Sequence, residues 1–120
     1  VLKSFSFPKI FFIARYMVSL YTTLMDENIK KQGLEEVYKV LAVTEDAQLI
    51  GDFFECLFTP AELEDLAKRW LLVKEIDKGT TQRAIAKMFS MSLCKITRGS
   101  KELKKEGSAF REMLNRATQL

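Results

Sequence analysis

Eight basic side chains fall between Lys78 and Lys105, and Glu102 is the one acid among them. Lys78, Arg83, Lys87, Lys95, Arg98, Lys101, Lys104 and Lys105 give a net +7 over 28 residues, the electrostatic footprint of a polyanionic partner. Apolar residues are interleaved with these charges at helical spacing. Ile85, Ala86 and Phe89, at i, i+1 and i+4, predict an inward stripe on a short helix. Met91 fills a turn, and Leu93 and Ile96 begin the inward face of a second helix. Ala86 is small, as a close helix crossing requires. Lys95, Thr97, Arg98 and Lys101 point outward, the residue types that reach phosphates and base edges. The pattern predicts a helix-turn-helix at about 81–105, with Gln82, Arg83, Lys87, Leu93, Cys94, Lys95, Thr97 and Lys104 facing DNA. The alternative is a helical interaction module whose basic face is merely solvated.

Catalysis finds no support. The chain has no histidine, which removes the commonest general base and the commonest metal ligand. Cys56 and Cys94 stand 38 residues apart with no Cys-x-x-Cys pair, so neither a zinc site nor a disulfide framework is expected. Unpaired thiols suit a reducing cytoplasm. The expectation is a non-enzymatic protein without metal or cofactor.

The elements that must position the basic segment are helices. Helix formers dominate, with only five glycines and two prolines in 120 residues, which predicts a single all-α domain. Leu34, Val37, Tyr38 and Leu41 mark an amphipathic first helix from about Asp26 to Val43. Thr44 is expected to start the second, whose apolar face is Leu49, Ile50, Phe53, Phe54 and Leu57. Thr59, Pro60 and Glu62 predict the start of a third: N-cap, first-turn proline and capping-box acid. Its stripe reads Leu63, Leu66, Trp70, Val73 and Ile76, and Gly79 ends it. Thr80 or Thr81 caps the fourth helix, Ser92 the fifth and Ser108 the sixth, which packs through Phe110, Met113 and Leu114. The aromatic wealth of the second helix exceeds what so few helices can cover. A second copy of the chain is the natural cover.

Residues 1–24 differ in kind. They are aromatic and β-branched, carry Pro8 and contain no acid. The apolar run from Ile10 is broken by Arg15 and falls short of the about 20 residues a bilayer span needs. No small-x-small cleavage site follows. This stretch is read as an extension, non-native or disordered, before a helical domain at 25–120, with the natural start at Met17 or Met25. No membrane partner is expected.

The run Ile96 to Ser100 (ITRGS), with Thr59-Pro60 and Arg69 upstream and a Thr81-Gln82-Arg83 triplet whose Gln82 stands fifteen residues before Thr97, resembles the bacterial tryptophan (trp operon) repressor family. The likeness runs without gaps from about Leu34 to Gly79 and, after a one-residue deletion near Thr80, to about Leu114. It implies a six-helix fold, an intertwined homodimer, and a cytoplasmic, tryptophan-responsive repressor of tryptophan biosynthesis or uptake genes that binds operator DNA with L-tryptophan as corepressor. A repressor of the same fold that senses another small ligand, or none, is the alternative. By the same resemblance Arg69 and Arg98 sandwich the indole, since guanidinium planes stack on aromatic faces. Arg98 also meets the ligand carboxylate, helped by the Thr59 hydroxyl, and Gly99 leaves room for the ring. Backbone carbonyls near Cys56 and Phe58 of the other subunit take the ammonium. The chain departs from the family pattern at several places. Glu102 replaces a serine near that ammonium, where a carboxylate either pairs with it or repels the ligand carboxylate and DNA phosphate. Cys56 and Phe58 replace leucines, Ser90 a turn glycine, and Ala86 a phosphate-contacting lysine.

Overall fold

The computed structural model describes residues 7–120, with side chains from Phe11 onward, and residues 1–6 of the N-terminal stretch lie outside it. Six helices follow in order: α1 Phe7–Ala42, α2 Ala47–Leu57, α3 Pro60–Asp77, α4 Gln82–Phe89, α5 Leu93–Lys104 and α6 Ala109–Ala117. No strand occurs among the described residues, so the all-α expectation holds. No helix among them is long and apolar enough to cross a membrane. Two units divide the chain, residues 1–50 and 51–120.

In the first unit α1 begins at Phe7 rather than near Asp26. The reason is local. From Lys9 to Gln32 there is neither glycine nor proline, and Pro8 stands in the first turn, where its missing N–H costs nothing. Periodicity alone cannot reveal this half, because Phe11, Phe12, Ile13, Tyr16 and Val18 fall on every side of the helix, all exposed. The helix closes at Thr44, whose hydroxyl donates to the Val40 carbonyl at 2.6 Å. Thr44 therefore ends α1 instead of starting α2. Asp46 takes the starting role, its carboxylate accepting from the N–H groups of Gln48 and Leu49 at 3.0 and 3.1 Å.

The second unit is ordered by its caps. Thr59 accepts from the Glu62 N–H while the Glu62 carboxylate accepts from the Thr59 N–H at 2.7 Å, the reciprocal pair that fixes the start of α3. Thr81, not Thr80, caps α4, Ser92 caps α5 and Ser108 caps α6. Thr80 instead donates to Glu75 at 2.8 Å. Each cap satisfies N–H groups that have no partner inside the helix and contributes about 1 kcal/mol.

Leu72 and Val73 of α3, Ile85 of α4, Ile96 and Leu103 of α5 and Leu114 of α6 form the buried core, with Trp70, Ile76, Ala86, Phe89, Met91 and Phe110 packed against it. The expected stripe on α3 omits Leu72, which is 1% exposed, and includes Leu66, which is 41% exposed. Helix α3 carries two interleaved apolar rows, and the one at 72, 73 and 76 turns inward. Leu93 and Met113, expected inside, are half exposed for the same reason: a single apolar residue at the edge of a stripe does not fix the helix rotation. Helix α5 packs against α3, α4 and α6 and is the hub of the unit.

Ser90 joins α4 to the turn in a left-handed conformation, φ 51° and ψ 47°. A side chain costs roughly 1–2 kcal/mol there, and glycine does not. Ser90→Gly is therefore expected to raise stability by about 1 kcal/mol, read as a rise of a few degrees in the thermal midpoint. An unchanged or lower midpoint would show that the turn is not strained.

Acid should unfold the chain in a definite window. Thr59 holds Glu62 below the usual carboxylate range through its backbone and hydroxyl, and Lys78 with Thr80 does the same for Glu75. Carboxyls with depressed values stabilise the fold above their ordinary value of 4.5 and lose that contribution as pH falls through their folded values. The melting temperature should hold steady down to that value and then decline; a midpoint unchanged in strong acid would contradict it.

Candidate ligand cavity and basic face

Helix α5 has two faces with different occupations. Ile96, Gly99, Ser100 and Leu103 are buried against neighbouring helices. Gly99 sits where α5 meets α3: a Cβ there would lie 2.6 Å from Leu72 Cδ1 and 3.7 Å from Val73 Cγ2. No real Cβ approaches so closely, so glycine is what lets the two helices touch. This packing requirement was not part of the sequence expectation, which assigned Gly99 to ligand space alone.

Beside the crossing lies a cavity of about 180 Å³, walled by Arg69, Leu72 and Val73 of α3, by Lys95, Arg98, Gly99 and Glu102 of α5, and by Phe110 of α6. Of the expected ligand residues, Arg69, Arg98, Gly99 and Glu102 come together here. Arg69 is one turn before Leu72 and Arg98 adjoins Gly99, so the crossing itself sets both guanidinium groups on one cavity. Its apolar wall is Leu72, Val73 and Phe110, and its polar rim is cationic except for Glu102. Such a space suits an apolar ring with an anionic group attached. Phe58 lies instead in a neighbouring cleft of about 490 Å³, which shares Arg69 and Phe110. Thr59 stands at the start of α3, its oxygen engaged by the cap and its hydroxyl hydrogen not needed there. Cys56 is exposed and is not on the cavity wall.

Glu102 accepts from the Lys105 ammonium at 2.7 Å. That hydrogen bond, with the charges of Lys105 and Arg98, holds its carboxyl below the usual range. Lys95 was expected only on the outer surface. Its ammonium lies 3.7 Å from Asp65 of α3, and its side chain forms part of the cavity wall. Lys95 and Phe110 are thus wall residues that sequence spacing did not single out. The i, i+3, i+7 row Lys95, Arg98, Glu102 was the available signal.

The outer side of α5 is a shallow groove lined by Leu93, Cys94, Thr97, Arg98, Lys101, Glu102 and Lys105. Gln82, Arg83 and Lys87 of α4 are exposed, as is Lys104. Thr97 is half-buried and donates to Gln82 across the two helices at 3.4 Å, so it braces α5 on α4 as well as facing outward. Helix α4, the segment Ser90 to Ser92 and α5 thus form two braced helices joined by a short turn.

A family model described as Trp repressor protein matches residues 32–118. The chain belongs to the Trp repressor family. Three relatives, each named Trp operon repressor homolog, bear this out. The protein of Chlamydia caviae is 31% identical over 91 residues, covering 75% of this chain and 90% of the relative. That of Chlamydia trachomatis serovar D is 28% identical over 91 residues, 75% and 97% of the two chains. That of Xylella fastidiosa strain M23 is 32% identical over 75 residues, 62% and 82%. No solved structure gives a significant match. Trp repressor proteins are transcription regulators rather than enzymes. The match takes in the last part of α1, all of α2 to α6, the cavity and the basic face, and leaves α1 before residue 32 outside.

The crossing yields a direct test. Gly99→Ala should cost about 1–3 kcal/mol, because a methyl group must push Leu72 off its rotamer or separate the helices. The same variant should enlarge or skew the cavity and weaken any ligand that uses both arginines. Thermal denaturation and ligand titration read the two effects, and wild-type values in both would remove Gly99 from the crossing.

Proposed function

We propose that this member of the Trp repressor family is a tryptophan-responsive, DNA-binding transcriptional repressor that works as a cytoplasmic homodimer on genes of tryptophan biosynthesis or uptake. One observation carries the reading: the cavity walled by Arg69 and Arg98 and the basic face of α4 and α5 share a single helix, α5. An indole ring between the guanidinium groups would stack on both, and its carboxylate would meet Arg98. The Thr59 hydroxyl would help Arg98 hold that carboxylate, and backbone carbonyls near Cys56 and Phe58 of the other subunit would take the ammonium. L-Tryptophan is the corepressor in this scheme and no other cofactor is needed.

The DNA side follows from residue chemistry. Arg83, Lys87, Lys101 and Lys104 neutralise phosphates, while Lys95, Thr97, Gln82, Leu93 and Cys94 face base edges from the first turns of the two helices. A dimer presents two such heads to half-sites about 34 Å apart, the general spacing for helix-turn-helix dimers, among which the Trp repressor is counted. Support for the dimer comes from Leu49 and Leu57 of α2, which are half exposed in the single chain although α2 is the most apolar of the short helices. The ligand acts by binding the DNA-competent setting of α5 better than its other settings.

A second reading, the same fold with a different amino acid as its ligand, has Glu102 behind it, because a carboxylate on the cavity rim changes which head group is accepted.

The test is a fluorescence-anisotropy titration on a trp promoter fragment with and without L-tryptophan, repeated over a range of salt. Tryptophan should tighten specific binding by tenfold or more, and affinity should fall steeply with salt as counterions are released. Arg69→Ala should abolish the tryptophan effect and leave salt-sensitive non-specific binding intact. Equal DNA affinity at zero and saturating tryptophan would falsify the corepressor role, and weak salt dependence would favour an interaction module.

A further inference from the structure

Lys95 belongs to the basic segment by sequence, yet its side chain is not part of the outer groove of α5. Its chain neighbours Leu93, Cys94, Thr97 and Arg98 line that groove, and Lys95 lines the cavity on the α3 side instead. The cause stands on the facing helix. The Lys95 ammonium lies 3.7 Å from the carboxylate of Asp65, on α3. Most ion pairs among the described residues join neighbours three or four apart in the chain; this one joins two helices.

The hold is of a kind that can be exchanged. The backbone of Lys95 is fixed, because its N–H donates to the Ser92 hydroxyl in the cap of α5 at 3.4 Å. The side chains of Lys95 and Asp65 are half exposed, 50% and 53%. Their separation exceeds hydrogen-bond range, so charge joins them without a directional bond. An exposed pair of this type adds little to stability. It does decide which way a long cation points.

Lys95 also stands in the first turn of α5, which contains no acid. That end of a helix is positive, so a cation is disfavoured there and an anion welcome. In the free chain Asp65 supplies the anion. A nucleic-acid phosphate carries the same charge and would supply it from the outer side.

We propose that Asp65 is a positioning residue for Lys95: it keeps the lysine on the cavity side of α5, and nucleic acid must displace it to recruit that cation. The proposal rests on reading the basic face of α4 and α5 as the nucleic-acid surface. Without Asp65, Lys95 joins Arg83, Lys87, Lys101 and Lys104 there at no cost. Since exposed ion pairs are worth roughly two- to fivefold in an equilibrium constant, the gain in affinity should be of that size.

The experiment is a fluorescence-anisotropy titration of the full chain against a trp promoter fragment and a scrambled duplex of equal length. Wild type, Asp65→Asn, Lys95→Gln and the double variant are compared over a range of salt, with circular dichroism melts to confirm that each is folded. Asp65→Asn should bind one or both duplexes roughly two- to fivefold tighter, and its salt dependence should steepen by up to about one counterion. In the Lys95→Gln background the same substitution should gain nothing further. A gain of equal size with and without Lys95 overturns the proposal, because Asp65 then acts through the general field. Unchanged or weaker binding by Asp65→Asn, beside steeply salt-dependent binding by the wild type, also overturns it and leaves the nucleic-acid surface standing. Failure of both wild type and Asp65→Asn to bind either duplex overturns the two together.

Discussion

The approach of α5 to α3 at Gly99 is the constraint on which the rest of the second unit depends. With hydrogen at that position, the backbone of α5 comes within side-chain reach of Leu72 and Val73, and the two helices close on each other. Everything nearby inherits its place from this contact. Arg98 is next in sequence to the glycine, Arg69 is one turn before the leucine, and Glu102 is three residues further along α5. None of these three polar residues needs to be held by a partner of its own to lie beside the cavity. Helix geometry fixes their Cα positions once the crossing is fixed.

The same rigidity explains how a short helix can present a basic surface at little cost. Helix α5 is anchored by Ile96 and Leu103 in the core and by the Ser92 cap at its start. Its cations are distributed along the exposed side, and Lys101 and Lys104 lie in the last turn, where positive charge is favoured by the helix dipole. Repulsion among the like charges is met by Glu102 and by Asp65, one from α5 itself and one from α3. Glu102 lines both the cavity and the outer groove, and Asp65 lines the neighbouring cleft. Both sides are mainly cationic, and Glu102 is an acid common to the two.

Much of this was legible in the sequence, and where it was not, the cause is specific. Caps were readable because they depend on one or two residues in fixed register: Thr59 with Glu62, Ser92 and Ser108 all stand where the spacing put them. The short helices were readable from Ile85, Ala86, Phe89 and Ile96, whose stripe has one solution. Helix α3 was harder, since Leu63, Leu66, Trp70 and Leu72 support two rotations, and the choice between them is made by Gly99 on another helix. Helix α1 was longer than its amphipathic half, because a segment apolar on all sides carries no period to read. Of the site, Arg69, Arg98, Gly99 and Glu102 were found through a family likeness, and the cavity brings them together. Lys95 was assigned wholly to the exterior, although a residue at the rim of a helix face can serve both sides.

One consequence follows from the thickness of α5. An α-helix with its side chains is about 10 Å across, and the cavity and the outer groove adjoin along one such rod, with Arg98 and Glu102 lining both. Neither an occupant of the cavity nor a polyanion in the groove could shift the rod without the other registering it. Thermodynamic linkage makes such an effect mutual and equal: whatever factor a small molecule adds to nucleic-acid affinity, nucleic acid returns to the small molecule. With nucleic acid bound, the same occupancy of the cavity would be reached at a correspondingly lower concentration of small molecule.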